Sequence, residues 1–195
     1  IPFIRGAHKS VPIEKLVEEA RRLADKGVRE LIVIAQDTTY YGLDLYRRRA
    51  LAELLQKLSE VEGIEWIRIH YSYPAAFPDD VLDQMAENPK VCRYMDIPLQ
   101  HISDKVLDNM HRNVTGQWTR ELISRMRERV PGVVLRTTMI VGHPGEGKKD
   151  FEELLQFASD ARFERLGAFK YSEEEGTYGA ENFKDTISAK TKQAR

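Results

Sequence analysis

One cysteine, Cys92, stands in 195 residues. A single thiol excludes an internal disulfide and fits a reducing compartment. No apolar stretch approaches the ~20 residues of a membrane span, and no secretory leader is expected. Neither sign of charge dominates. Lys and Arg number 30 against 31 Asp and Glu, for a net charge of −1. That balance argues against a dedicated nucleic-acid or membrane-surface binder. The short run Arg47-Arg48-Arg49 reads as a solvated face at a helix start. The GK[ST] ending of a P-loop is absent. The five histidines, His8, His70, His101, His111 and His143, lack the close spacing of a metal site. A zinc site from His70, His101 and His143 stays open as an alternative. So does an inert, partly buried role for Cys92.

What is present is a repeating alternation. Hydrophobic residues make up 42% of the chain, enough for one sizeable core and one domain. Ile1–Ser10 reads as a basic, irregular entry. Ile13, Leu16, Val17, Ala20, Leu23 and Ala24 recur at helical spacing, Pro12 suits the first turn and Gly27 the stop. This predicts a helix over 12–26. The apolar run that follows predicts a strand over 29–35, broken by Gln36-Asp37-Thr38-Thr39-Tyr40-Tyr41-Gly42. The same logic predicts helices over about 48–61, 79–87, 103–110, 117–130 and 148–160, with another beginning at Ser188. It predicts strands over 64–70, 93–97, 133–141 and 166–171. Strict alternation of strand and helix means parallel strands joined by crossovers. Because the chain opens on a helix, and on Ile1 rather than Met, it is expected to be an internal piece of a longer protein with a preceding strand lost.

The segments after the strands carry the polar residues: QDTTYYG, YSYP, PLQH, GHPGEG and SEEEGT. In parallel α/β folds, ligands bind at the strands' carboxyl ends. Val141-Gly142-His143-Pro144-Gly145-Glu146 lets backbone approach a ligand beside a helix N-terminus; a well-made turn with Glu146 on the helix dipole is the plainer alternative. Asp37 and His101 are candidates for acid–base chemistry, though Asp37-Thr38-Thr39 also suits simple turn-making. Arg136 lies in an apolar strand, where it would hold a carboxylate or pair with a neighbouring acid. Glu173-Glu174-Glu175 reads as a solvated loop, and Trp118 and Met126 as helix core.

Four phrases, taken together and in order, resemble the radical S-adenosylmethionine methylthiotransferases. They are Ala35–Gly42, Asp96–Ser103 (DIPLQHIS), Ile140–Glu146 (IVGHPGE) and Tyr171–Thr177 (YSEEEGT). The QDTT, PLQHIS and YSEEEGT forms resemble the RimO-type branch. The tRNA-modifying branch typically has QNVNSY, PLQSGS and YSPRPGT at these places. The resemblance implies a partial, open (β/α)6 TIM-type barrel whose first strand and CxxxCxxC cluster loop precede Ile1. It implies a methylthiotransferase domain and a TRAM domain outside this chain. The implied activity is methylthiolation of the β-carbon of an aspartate in the twelfth small-subunit ribosomal protein. The implied cofactors are S-adenosylmethionine and 4Fe–4S clusters, and an electron donor is a further implied partner.

By the same resemblance, the cofactor-binding residues are Gln36, Ser72, Gln100, Arg136, Ile140, Gly142, Phe169 and Tyr171. Cys92 is not one of the cluster cysteines, so no catalytic or metal-ligating residue is expected here and the piece alone is expected to be inactive. His143 stands where the family commonly has Phe, Gly147 where it has Thr, and Asn113 where it has Gly. The expected location is the cytoplasm, without membrane or direct nucleic-acid contact. Two other readings remain: a non-catalytic binding module, and a (β/α) hydrolase or lyase using Asp37, His101 or Glu146.

Overall fold

The computed structural model describes residues 8–195. The expected entry over Ile1–Ser10 therefore falls largely outside the described residues. Five strands, β1 (Glu30–Ile34), β2 (Trp66–His70), β3 (Val91–Asp96), β4 (Val134–Val141) and β5 (Arg165–Lys170), form an open sheet in sequence order. Each printed ladder, β1 with β2, β2 with β3 and β4 with β5, is parallel. The helices are α1 (Ile13–Asp25), the short α2 (Leu43–Tyr46), α3 (Leu51–Ser59), α4 (Asp79–Glu87), α5 (Asp104–Asn109), α6 (Gly116–Arg129), α7 (Lys148–Ala161), α8 (Tyr178–Asn182) and α9 (Ala189–Ala194), of which α2 to α7 lie between strands. The parallel strands expected from the alternation, and the partial, open (β/α) arrangement implied by the family resemblance, are the fold observed.

The chain divides into two compact units: residues up to Asp96 with Arg127–Val133, and Ile97–Met126 with Val134–Arg195. In the first, Leu51, Leu54, Leu55 and Leu58 of α3 are buried with Ile67 and Ile69 of β2, and Val81, Leu82 and Met85 of α4 are buried where that helix packs on α3 and β3. Each such side chain contributes roughly 1.5–3 kcal/mol by leaving water. The β2 alternation is set by the pleat: Ile67 and Ile69 are buried, whereas Trp66, Arg68 and His70 point to the other face. A groove of about 450 Å³ lies along β1 and α1, lined by Leu16, Ala20, Leu23, Leu31, Val33 and Leu54 among others.

In the second unit, Leu135, Thr137, Met139 and Val141 of β4 are buried, and Leu122, Ile123 and Met126 of α6 and Leu154 and Phe157 of α7 are buried with them. Residues 97–100 run beside β4. The Ile97 N–H donates to the Arg136 carbonyl (2.9 Å), Gln100 N–H to Thr138 (2.8 Å) and Ile140 N–H to Gln100 (2.8 Å). Every residue of β5 is exposed.

Several boundaries differ from the periodicity. The helix expected from residue 48 starts at Leu51, because Gly42 and Arg47, both at positive φ, enclose the separate turn α2. Gly116, expected just before α6, is its first residue. A Cβ there would fall on the Ile102 carbonyl, so only glycine fits. Ser188 caps α9 by accepting from the Thr191 N–H (3.1 Å).

Candidate functional site

The second unit holds six of the eight expected cofactor residues. On β4, Arg136, Thr138 and Ile140 occupy the face opposite the buried residues. On β5, Gly167 and Phe169 are the register partners of Thr138 and Ile140. Phe169 is 62% exposed, so Ile140 and Phe169 offer an apolar surface at the strands' carboxyl ends. Arg136 lies lower on the same face with its side chain exposed.

Gln100 sits where the PLQH segment leaves β4. Its φ is +71°, a conformation that costs a non-glycine residue about 1–3 kcal/mol and concentrates at functional sites. Both its N–H and its carbonyl are held by β4, while its side-chain Oε1 is buried with no hydrogen-bond partner. An unpaired buried acceptor costs about 1–3 kcal/mol. A donor supplied by a ligand, such as an amino group, would relieve it.

The loop after β4 is braced from behind. Glu146 is buried; its carboxylate accepts from the Gly142 N–H (2.8 Å), lies 3.5 Å from His101 Nε2 and pairs with Arg195. Burial by itself raises this carboxyl, but His101, the Gly142 amide and Arg195 together hold it below the usual carboxylate range. His101 is fully buried and its Nδ1 accepts from the Ser103 N–H (3.1 Å). The proton of a neutral ring therefore sits on Nε2, toward Glu146. Gly142 has φ +75°, and a Cβ there would meet the Lys192 stem at 2.5 Å. Its close approach is thus used by α9. Lys192 Nζ donates to the Tyr171 carbonyl (3.1 Å), pairs with Asp185 and lies 4.9 Å from the Tyr171 ring centroid. Tyr171 is further enclosed by His143, with ring centroids 4.8 Å apart.

His143 behaves as the aromatic residue it replaces. Burial pushes its imidazole toward the neutral form, and the ring packs on Tyr171 and Phe183. Gly147, where the family has Thr, precedes α7. Its N–H donates to Asp150 (2.8 Å), which also accepts from Ser103 Oγ (2.7 Å).

In the first unit, Gln36 follows β1 and is exposed. Ser72 is buried, its Oγ 3.1 Å from Thr38 Oγ1, and its N–H donates to the Asp96 carbonyl. Asp37 accepts from the Thr39 N–H (2.9 Å), Thr39 Oγ1 (2.6 Å) and the Tyr73 N–H (3.3 Å). Turn-making is therefore its role. The loop is also sewn to the start of α1. Ser10 donates from N and Oγ to Asp44, Gly42 N–H donates to Ser10 Oγ, and Tyr41 Oη donates to the Val11 carbonyl (2.7 Å).

Asp37, His101 and Glu146, the residues the hydrolase reading would use, each make hydrogen bonds that hold loops. Among the described residues, no group of three or more His, Cys, Asp and Glu side chains is placed to hold a metal ion. Burial raises the Cys92 thiol, which suits an inert side chain. The grip of Lys192 on the β5 loop and of Arg195 on the β4 loop has no short-range signature, since the partners lie 21 and 49 residues apart.

The profile of the Radical SAM superfamily matches residues 2–158. All 195 residues align with the ribosomal protein uS12 methylthiotransferase RimO of Parabacteroides distasonis, at 55% identity over 45% of that protein. The proteins of the same name from Porphyromonas gingivalis W83 and Christiangramia forsetii are 57% and 56% identical, over 45% and 43% of their lengths. The chain thus spans less than half of these relatives. Among solved structures, the coproporphyrinogen III oxidase HemN of Escherichia coli, a radical SAM enzyme, superposes with a TM-score of 0.64 at 17% identity, over 93% of this chain and 43% of that one. The radical S-adenosylmethionine methyltransferase TsrM of Kitasatospora setae gives 0.63 at 17% identity, over 85% of this chain and 31% of that one. At these identities the two structures speak for the fold alone. With parallel (β/α) strands, the signature loops at their carboxyl ends and the superfamily profile matched over most of its length, this chain belongs to the radical SAM superfamily.

Proposed function

We propose that the chain is the central domain of an enzyme that methylthiolates the β-carbon of an aspartate in the small-subunit ribosomal protein uS12. The observation that carries this is identity of 55–57% to RimO proteins along the whole chain. The signature loops fall within that match. The working location is the cytoplasm, and an electron donor is a required partner. A methylthiotransferase domain and a TRAM domain complete the enzyme outside these residues. When bound, S-adenosylmethionine and a 4Fe–4S cluster supply the radical chemistry. One half-buried thiol does not fit the cluster, whose thiolate ligands would have to come from elsewhere in the parent protein.

S-adenosylmethionine does fit the residues present. In the second unit, the orphaned Gln100 Oε1 is suited to its amino group and Arg136 to its carboxylate. Ile140 and Phe169 offer apolar contact for adenine, with Gly142 and Tyr171 holding the loop beside them. In the first unit, Gln36 supplies an exposed amide, and Ser72 sets the backbone of the YSYP segment. These residues bind, orient and exclude water, while the cofactors carry the bond-making.

The test is anaerobic reconstitution of the full-length protein. Iron, sulfide and reductive cleavage of S-adenosylmethionine are expected, together with a methylthiolated uS12 peptide by mass spectrometry. Absence of cleavage rejects the reading. Within it, Gln100→Ala and Arg136→Ala are each expected to weaken S-adenosylmethionine binding about tenfold or more by calorimetry, the loss of one hydrogen bond to a charged group.

A further inference from the structure

α9 is six residues long, too short to stand as a helix on its own. No buried apolar side chain anchors it. Its one buried residue is Lys192, whose side chain is 9% exposed. A lysine is seldom buried without partners. Here they are Asp185, the Tyr171 carbonyl (3.1 Å) and the Tyr171 ring. At the end of the helix, Arg195 pairs with the Glu146 carboxylate, and its guanidinium lies 5.2 Å from the Phe151 ring centroid. The exposed Gln193 accepts from Lys170 of β5 (2.8 Å). Two cations therefore hold this helix, where an apolar stripe would ordinarily do so.

Both cations reach the loops that flank the apolar surface of Ile140 and Phe169, register partners on β4 and β5. Gly142 lies two residues beyond Ile140, and its N–H donates to Glu146 Oε2 (2.8 Å). Arg195 takes the other oxygen of the same carboxylate. The place of Gly142 thus depends on Glu146, and that of Glu146 on Arg195. Tyr171 lies two residues beyond Phe169. Lys192 holds its carbonyl, while the Lys192 stem covers Gly142. The superfamily profile stops at residue 158, before β5 and α9, so that match does not account for this clasp.

We infer that Lys192 and Arg195 are positioning residues for S-adenosylmethionine, acting through α9 to hold the loops after β4 and β5 in the binding shape. This rests on the methylthiotransferase reading above. A loop ordered in advance does not have to be ordered by its ligand, so the clasp raises affinity without touching the ligand. Such coupling is reciprocal. A helix that supports the bound form is in turn stabilised by the ligand.

The experiment uses the full-length, cluster-loaded protein with S-adenosylmethionine as the probe. In the wild type, hydrogen-exchange mass spectrometry is expected to show slower exchange across 189–195 when S-adenosylmethionine is bound, although no residue there belongs to the proposed site. By calorimetry, Arg195→Ala and Lys192→Met are each expected to weaken binding about fivefold or more. Arg195→Lys, which keeps the cation, is expected to weaken it less than Arg195→Ala. A merely structural role would lower the melting temperature but leave affinity below it, and the exchange response, unmoved. Unchanged affinity in either folded variant overturns the inference. So does wild-type exchange across 189–195 that ignores S-adenosylmethionine, and that arm decides if neither variant folds. A wild type that binds no S-adenosylmethionine rejects the methylthiotransferase reading instead.

Discussion

Glu146 and His143 lie three residues apart in one loop, and burial acts on them with opposite outcomes. Glu146 keeps its charge because the Gly142 amide, His101 and Arg195 outweigh its desolvation. A carboxyl held below its ordinary value contributes stability above the unfolded-state value, lost as pH falls through the folded one. Glu146→Gln in the full-length protein is therefore expected to cost about 2–3 kcal/mol at neutral pH by urea unfolding. The gap between variant and wild type should close in acid. His143 is held neutral, chiefly by burial. Between its folded and unfolded values the unfolded chain binds more protons, so stability falls as pH drops below about 6.5. His143→Phe is expected to flatten that acid-side loss. The check is the melting temperature at pH 5 against pH 8, and an unchanged slope would reject the neutral buried imidazole.

At the scale of elements, α9 acts as a brace on the β4 and β5 loops. Its Lys192 stem covers Gly142, and Arg195 reaches the Glu146 carboxylate. Gly142→Ala would force both a positive φ on an L-residue and a shift of that stem. It is expected to cost about 1–3 kcal/mol and to speed amide exchange at Gly142 and Tyr171, read by hydrogen-exchange mass spectrometry. Gly116 is a stricter case because the Cβ would meet backbone rather than a flexible side chain. Periodicity located the main helices and all five strands, since each buries one stripe or one face. It missed α2 and α8, five residues long or shorter. A turn that short completes no apolar stripe, so no period exists to be read.

For the whole molecule, unburied apolar surface is the defining feature. Ile32 and Ile34 on β1 are 54% and 63% exposed, and Leu166 and Phe169 on β5 are 44% and 62% exposed. Both strands end the sheet order, and such edges invite pairing with another chain. The isolated 195-residue chain is expected to bind the dye ANS and to scatter light at micromolar concentration. The full-length protein should do neither. Equal dye binding by both would mean that nothing else in the parent covers these edges.

The order of strands and helices, the polar loops behind each strand and the family signature were all legible in the residues themselves, because they depend on spacing along the chain. Leu31–Gly42 shows this well: an apolar run that stops at Gln36 reads as a strand and its carboxyl-end loop without any coordinates. Which loop residue is spent on structure was not legible. Asp37, His101 and Glu146 look like acid–base candidates in one dimension, yet each is consumed by amides and partners 2 to 49 residues away. Gln100 has the opposite history: a polar residue in PLQH became informative only when its Oε1 proved buried and unpaired. Local pattern determines where a side chain can point, because the helix and strand periods are local. Whether that side chain meets a partner or is left for a ligand is decided by packing between distant segments, and only the tertiary structure contains that.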